Sequence, residues 1–138
     1  MKEIVLKGHG TKGVAEGEAL VIKDALSFMS GVNLATGVIL EKKLESRGQD
    51  VGGKILVFPS GKGTTTDPYA LYLLMRGGKA PRAIINVEAN PVTAAGAIMC
   101  RLPIMHRLNR NPLEVIETGD FVRVDGEKGT VTVTKKSG

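Results

Sequence analysis

The sequence predicts an α+β fold, mainly strands, with two helices set in its middle third. Three observations carry that reading. Short apolar runs bounded by glycine and proline, such as Ile55-Leu56-Val57-Phe58 and Ala83-Ile84-Ile85-Asn86-Val87, read as buried strands. Two segments carry helix-start signatures, Asp67-Pro68 and Asn90-Pro91. Near the C-terminus, alternating Val and Thr or charged residues flank a turn at Asp125-Gly126, the pattern of a hairpin.

In chain order, residues 4–6 and 14–22 read as strands, and Gly17 within the second suggests a bulge or the close approach of another backbone. Residues 27–37 form a loop long enough to suspect a function. Residues 38–40 read as a short strand, and 41–53 as a charged, glycine-ended surface stretch. After the strand at 55–58, a helix starts with Asp67 as N-cap and Pro68 at its first position, and Gly77-Gly78 stops it. It is apolar on more than one face, which predicts burial between layers. The strand at 83–87 follows, then a second helix capped by Asn90 and running to about Cys100. Residues 102–105 form a short extended piece, 112–117 one helical turn, and 121–124 with 130–134 the closing hairpin. No internal repeat or linker interrupts the pattern, so residues 1–138 read as a single domain.

The 42% hydrophobic content excludes a disordered chain. No apolar run reaches the length of a membrane-spanning helix, and the opening Met1-Lys2-Glu3-Ile4 lacks the apolar core of a signal peptide, so the chain reads as cytoplasmic. Cys100 is the one cysteine and cannot by itself form a disulfide or hold a zinc or iron–sulfur site; its apolar setting reads as a buried, inert thiol. The net charge of +5 is spread over Lys42-Lys43, Arg107 and Arg110, and Lys135-Lys136 without interleaved aromatics. That argues against nucleic acid and leaves an acidic small molecule or an acidic partner compatible.

The stretch Ser60-Gly61-Lys62-Gly63-Thr64-Thr65-Thr66 gathers backbone N–H groups, a lysine and hydroxyls between a strand and a helix start. Helix N-termini of this kind attract phosphate and carboxylate groups. It is not a P-loop, because Leu56 stands where the first glycine is required and Gly63 follows Lys62. Gly8-His9-Gly10-Thr11-Lys12-Gly13 matches a dinucleotide fingerprint in letters only: residues 14–22 alternate as a strand where a helix is needed, and Asn33 stands near the position of the required acid. From the residues alone, Lys62 and Thr64 read either as a polar loop with a capping hydroxyl or as an anion site.

An ordered set of segments adds to this. It comprises Gly13-Val14-Ala15-Glu16-Gly17-Glu18-Ala19-Leu20-Val21, Ser27-Phe28, Gly31-Val32, Thr36-Gly37, Gly53-Lys54-Ile55-Leu56-Val57-Phe58-Pro59, Gly61-Lys62-Gly63-Thr64-Thr65, Ala83-Ile84-Ile85-Asn86-Val87-Glu88-Ala89, Gly96-Ala97-Ile98 and Gly119-Asp120-Phe121-Val122-Arg123-Val124-Asp125-Gly126. Together they resemble the small subunit, or swivel domain, of the aconitase X family, most of all its archaeal phosphomevalonate dehydratase branch. The resemblance implies a swivelling β/β/α domain that forms a heterodimer with a large subunit. That partner would carry a [4Fe-4S] cluster, with none bound by this chain alone. It also implies a hydro-lyase, inactive without the large subunit, that converts 5-phosphomevalonate to an anhydromevalonate phosphate in the archaeal mevalonate route to isoprenoid precursors. The substrate is then a small phosphorylated hydroxy acid, with no nucleic acid and no membrane involved.

In that family the base is a serine directly after Gly-Lys-Gly or Gly-Arg-Gly, a position held here by Thr64. The resemblance places Gly61, Lys62, Gly63, Thr65, Ser30 and Asn33 around the substrate. Threonine keeps the hydroxyl but adds a methyl and stiffens χ1. A hydroxyl serves as a base only where cations and amide dipoles stabilise its alkoxide, and Lys62 with the N–H groups of residues 63–66 suit that task. Ser60 is the fallback hydroxyl. Ser30, Asn33 and His106 stand where many members have Gly, Asp and Asp. Two alternatives follow from these departures: a catalytically silent binding or assembly module, and a dehydratase subunit for another hydroxy acid such as a hydroxyproline. Glu88 reads as an ordinary strand-end carboxylate, with orientation of the substrate or the base as the alternative. His9 and His106 read as surface residues, and Arg101 and Arg107 as a solvated surface, with a substrate phosphate or the partner chain as the alternative they could face.

Overall fold

The computed structural model describes residues 2–136. Its strands are β1 (Glu3–Lys7), β2 (His9–Gly10), β3 (Val14–Val21), β4 (Ile55–Phe58), β5 (Ala83–Asn86), β6 (Ile104–His106), β7 (Phe121–Asp125) and β8 (Thr130–Thr134). The helices are α1 (Phe28–Gly31), α2 (Asp67–Arg76), α3 (Pro91–Met99) and α4 (Pro112–Val115). The strands hydrogen-bond in the order β1-β8-β7-β3-β4-β5-β6-β2.

β3 joins two sheets. Its first half, Val14 to Glu18, pairs antiparallel with β7, and its second half, Ala19 to Val21, pairs parallel with β4. One sheet is therefore the antiparallel β1-β8-β7-β3 and the other the parallel β3-β4-β5-β6 with β2 on its edge. Every residue of β4 and β5 is buried, because these strands have apolar layers on both faces. Alternation divides them between two cores. Ile55, Val57, Ala83 and Ile85 pack with Val122, Val124, Val131 and Val133 of the hairpin. Leu56, Phe58 and Ile84 pack with Leu71 and Leu74 of α2 and Ala97 of α3. The result is a β/β/α stack with two long helices on the outer face of the parallel sheet, as the sequence predicts.

Local chemistry explains the element ends. Asn90 Oδ1 accepts from Val92 N at 2.9 Å and caps α3, and Asn111 Oδ1 does the same for Leu113 N in α4. α2 stops at Gly77, with Gly78 at φ 71° and Lys79 N donating to Leu74 O. α2 and α3 approach closely at Gly96, where a Cβ would lie 2.9 Å from the Cα of Pro68.

Several expectations are corrected. Residues 38–40 form only isolated bridges, Val32 with Ile39 and Val38 with Asp50, because each has a single residue for a partner. The loop at 27–37 contains the one-turn helix α1, with Ser27 as its cap. The stretch 41–53 is not all surface, since Leu44 and Val51 reach the core. α2 buries Ala70, Leu71 and Leu74 but leaves Tyr69, Tyr72 and Met75 exposed; the two tyrosine rings stack on each other and Arg76 lies over Tyr72, so this face covers itself. Asp67 does not cap α2: Thr66 holds the cap position, and the Asp67 side chain turns elsewhere. Gly17 pairs in register with Val122 without a bulge, and the carbonyl of Gly53 approaches it closely.

The hairpin is tied shut by Asp120. Its fully buried carboxylate accepts from Lys135 Nζ, from Glu117 N at 2.8 Å and from Lys136 N at 3.0 Å. Burial pushes its pKa up, but the Lys135 ammonium and the two backbone donors outweigh burial and hold it below the ordinary value of 3.8. A depressed carboxyl pKa stabilises the fold fully above the ordinary value, and that stabilisation is lost as pH falls through the lowered one. Asp120→Ala is expected to cost about 3 kcal/mol at neutral pH in urea denaturation, and to remove this acid-sensitive component below pH 3.8. A change within about 0.5 kcal/mol would contradict the clamp.

Candidate active site

β4 ends at Phe58, and the chain crosses to α2 through residues 59–66. Three sets of contacts fix this crossing. Leu26 and Gly61 form a parallel bridge, in which Leu26 N donates to Ser60 O and Lys62 N to Leu26 O, at 3.2 and 3.1 Å. Val87 N and Glu88 N both donate to Pro59 O. On the helix side, Thr93 and Asn90 of the α3 start press against the turn: a Cβ at Gly61 would fall 1.9 Å from Thr93 Oγ1, and one at Gly63 would fall 3.0 Å from Asn90 Nδ2. Gly63 also has φ 79°, a region that side chains rarely adopt. Gly61 is thus required by space and Gly63 by its positive φ.

Asp67 adds a further set. Its carboxylate is fully buried and accepts from Ser27 Oγ at 3.0 Å, Phe28 N at 3.1 Å and Met29 N at 3.1 Å. It therefore occupies the N-terminus of α1 instead of capping its own helix. Phe28 also meets the ring of Phe58 edge to face, with centroids 6.0 Å apart. Meanwhile Asp67 N donates to Thr64 O at 3.0 Å. One residue thereby holds the turn that carries Ser30 and the turn that carries Thr64.

Gly61, Lys62, Gly63, Thr64 and Thr65 lie together on this turn. Lys62 is exposed and makes no ion pair among the described residues, and Thr64 is half-buried. Ser30 is exposed at the end of α1. Asn33 is drawn into its own loop, where its Oδ1 accepts from Ala35 N and Thr36 N at 2.9 and 3.2 Å. Residues 61–66 line neither the cleft of about 440 Å³ at residues 21–24, 43–46 and 116–118 nor the cleft of about 430 Å³ at His9, Glu88 and His106. The turn stands on an open edge of the protein.

Glu88 is not a lone strand-end carboxylate. Arg107 Nε and Nη2 donate to it, at 2.9 to 3.2 Å; the guanidinium hydrogen bond lowers the Glu88 pKa and, reciprocally, raises that of Arg107. His106 is not simply a surface residue either. It is half-buried, and its Nδ1 accepts from Ala89 N at 3.0 Å. Thr93, Asn86 and the clamping role of Asp67 have no local sequence signal, since their partners are distant in the chain. Asn86 is fully buried, donating Nδ2 to Phe58 O, and the Thr93 hydroxyl has no partner among the described residues.

No group of three or more His, Cys, Asp or Glu among the described residues has the arrangement to hold a metal. Cys100 is buried, and burial pushes its thiol pKa up, away from a ligating thiolate. This chain's own residues do not fit an iron–sulfur cluster. No helix among the described residues is long and apolar enough to cross a membrane.

Comparison with known proteins gives a consistent set of similarities. A model of the aconitase X swivel domain matches residues 5–133. The chain is similar to the phosphomevalonate dehydratase small subunit of Methanocella arvoryzae, with 46% identity over 94% of this chain and 98% of that one. It is similar to the subunit of the same name from Pyrococcus furiosus, with 43% identity over 93% and 94% of the two chains. Among solved structures it is similar to a chain in the crystal structure of Thermococcus kodakaraensis aconitase X in its holo-form, with a TM-score of 0.89 and 41% identity over 96% of this chain and 99% of that one.

The packing at Gly61 generates a double-mutant test. Gly61→Ala is expected to cost about 2 kcal/mol in denaturant unfolding, by collision with the Thr93 hydroxyl. Thr93→Ala alone is expected to cost less, because that hydroxyl has no partner among the described residues, and it should restore at least half of the loss in the double mutant. Additive losses would show that the two residues do not meet.

Proposed function

The chain belongs to the aconitase X swivel-domain family, and we propose that it is the small subunit of a phosphomevalonate dehydratase, a hydro-lyase acting on 5-phosphomevalonate with Thr64 as the proton-accepting group. The observation that carries the reading is the Gly61-Lys62-Gly63-Thr64 turn, which carries a threonine hydroxyl and an exposed lysine without an ion pair among the described residues on a backbone fixed from both sides.

Eliminating water from a β-hydroxy acid begins or ends with removal of a proton from the carbon beside the carboxylate. A free hydroxyl is too weak a base for this. Thr64 is given two kinds of help. The Lys62 ammonium lies two residues away on the same turn, and the start of α2 supplies its positive dipole end; both favour an alkoxide over an alcohol. The glycines let the turn approach a substrate closely, and the methyl of Thr64 restricts the hydroxyl to fewer orientations than a serine would have. Gly61, Lys62, Gly63, Thr65 and Ser30 form the wall around the substrate, with Asn33 at its margin.

An open edge does not exclude water, and an alkoxide in water is quenched. The site is therefore completed by a partner, an aconitase X-type large subunit in a heterodimer, which also carries the [4Fe-4S] cluster in this reading. The assembly works in the cytoplasm, in the supply of isoprenoid precursors.

The test is reconstitution with the large subunit. The isolated chain is expected to show no dehydration of 5-phosphomevalonate, and the pair to show it. In the pair, Thr64→Val is expected to lower kcat about 10³-fold while Thr64→Ser retains it. Turnover by Thr64→Val within about tenfold of the parent would remove Thr64 from the chemistry. Stable pairing without turnover would favour a silent assembly module, and turnover of another hydroxy acid alone would move the substrate.

A further inference from the structure

The cleft of about 430 Å³ between β2, the end of β6 and the start of α3 is not absorbed by the turn chemistry. It contains His9, Thr11, Glu88, His106 and Arg107. We infer that it is an anion subsite that takes the phosphate end of the substrate, with His106 and Arg107 as the specificity-determining residues. This rests on the dehydratase reading above.

The first observation is the protonation pattern of His106. Its Nδ1 accepts a hydrogen bond from Ala89 N, so a neutral His106 carries its proton on Nε2. The ring is thereby fixed as a donor. The second is Arg107. It sits at φ 53°, a conformation that costs a non-glycine residue energy and that this chain elsewhere assigns mostly to glycine. Its Nε and Nη2 are directed by Glu88, which holds the guanidinium plane while the Nη1 edge makes no hydrogen bond among the described residues. Both members of this ion pair are largely exposed, so a phosphate dianion competes with the carboxylate for the fork.

Further donors face the same space. Thr11 Oγ1 accepts from Ile104 N, which leaves its own proton to donate. His9 is the cross-strand partner of His106, so the two imidazoles share one face of the sheet. Among the described residues Glu88 is the one acid lining the cleft, and Arg107 neutralises it.

Position connects the cleft to the chemistry. Ala89 and Pro91 line it, while Asn90 between them touches Gly63, the residue before Thr64. Val87 and Glu88 also hang from Pro59 on the same turn. In 5-phosphomevalonate the carbon that loses its proton is five bonds from phosphorus, about 6 Å at ordinary bond lengths. The subsite requires the substrate to span from Thr64 to the cleft at that length.

The experiment uses two variants that preserve the backbone. Arg107→Gly removes the guanidinium and suits φ 53°. His106→Asn keeps an acceptor for Ala89 N and removes the Nε2 donor. In the reconstituted enzyme, each is expected to raise KM for 5-phosphomevalonate about tenfold or more, with kcat changed far less, and to leave non-phosphorylated mevalonate unaffected. Independently of turnover, titration of the full chain with inorganic phosphate is expected to give a saturable shift of the His106 Nε2 resonance. That shift should be lost in Arg107→Gly and should appear at lower phosphate in Glu88→Gln. Absence of a saturable shift overturns the subsite even if the enzyme dehydrates phosphomevalonate. An equal loss with mevalonate, or a loss traced to weaker large-subunit binding, overturns it too. If the pair fails to dehydrate phosphomevalonate at all, the function falls, and the phosphate titration still decides the subsite.

Discussion

A buried carboxylate organises the working edge of this protein. Among the described residues no cation pairs with Asp67; its carboxylate is met by Ser27 Oγ and by the N–H groups of Phe28 and Met29. Such a group is costly to bury unless its acceptor sites are filled, so the α1 turn and the α2 start are held to each other. Around this contact the remaining constraints fall into place. Leu26, next to Ser27, forms the bridge with Gly61, and Pro68, next to Asp67, packs against Gly96. α3 then supplies Thr93 and Asn90 beneath the glycines. The turn bearing Thr64 is fixed by neighbours from three elements, and only its outward side is open.

The two cores serve that edge differently. β4 and β5 lend alternate residues to each, so the parallel sheet cannot shift toward one layer without disturbing the other. The C-terminal ends of both strands are therefore rigid platforms. The Gly-Lys-Gly-Thr turn leaves from the end of β4, and the segment carrying Glu88 leaves from the end of β5. Chemistry placed on such ends is held more firmly than chemistry on long loops.

Much of the fold is legible in the sequence because the signals are local. β4 and β5 are continuous apolar runs, which only two-sided burial explains, and α3 and α4 announce themselves through Asn-Pro starts. The hairpin β7–β8 is readable from alternation and its Asp-Gly turn. What escapes are roles set by distant partners. Asp67 stands before a proline in a capping pattern, yet its partners lie some forty residues earlier. His106 has no metal-ligand neighbour in sequence and reads as surface until Ala89 N is found on its ring. Gly8 to Gly13 imitates a nucleotide fingerprint, and part of it instead forms β2 along the sheet edge. For the candidate site, the glycine turn and helix start are visible from the residues, and the resemblance to a known family adds the role proposed for Thr64. That Ser30 is anchored to the same carboxylate clamp is visible only in three dimensions.

The central claim is that the site edge is assembled within this chain before any partner arrives. Amide hydrogen exchange on the free full-length chain tests it most directly. The account predicts that the N–H groups of Phe28 and Met29 are protected to the same degree as that of Leu71 in α2, and lose protection together with it when Asp67 is replaced by Ala. Exchange of Phe28 and Met29 at the rate of an unstructured loop, while Leu71 stays protected, would contradict it.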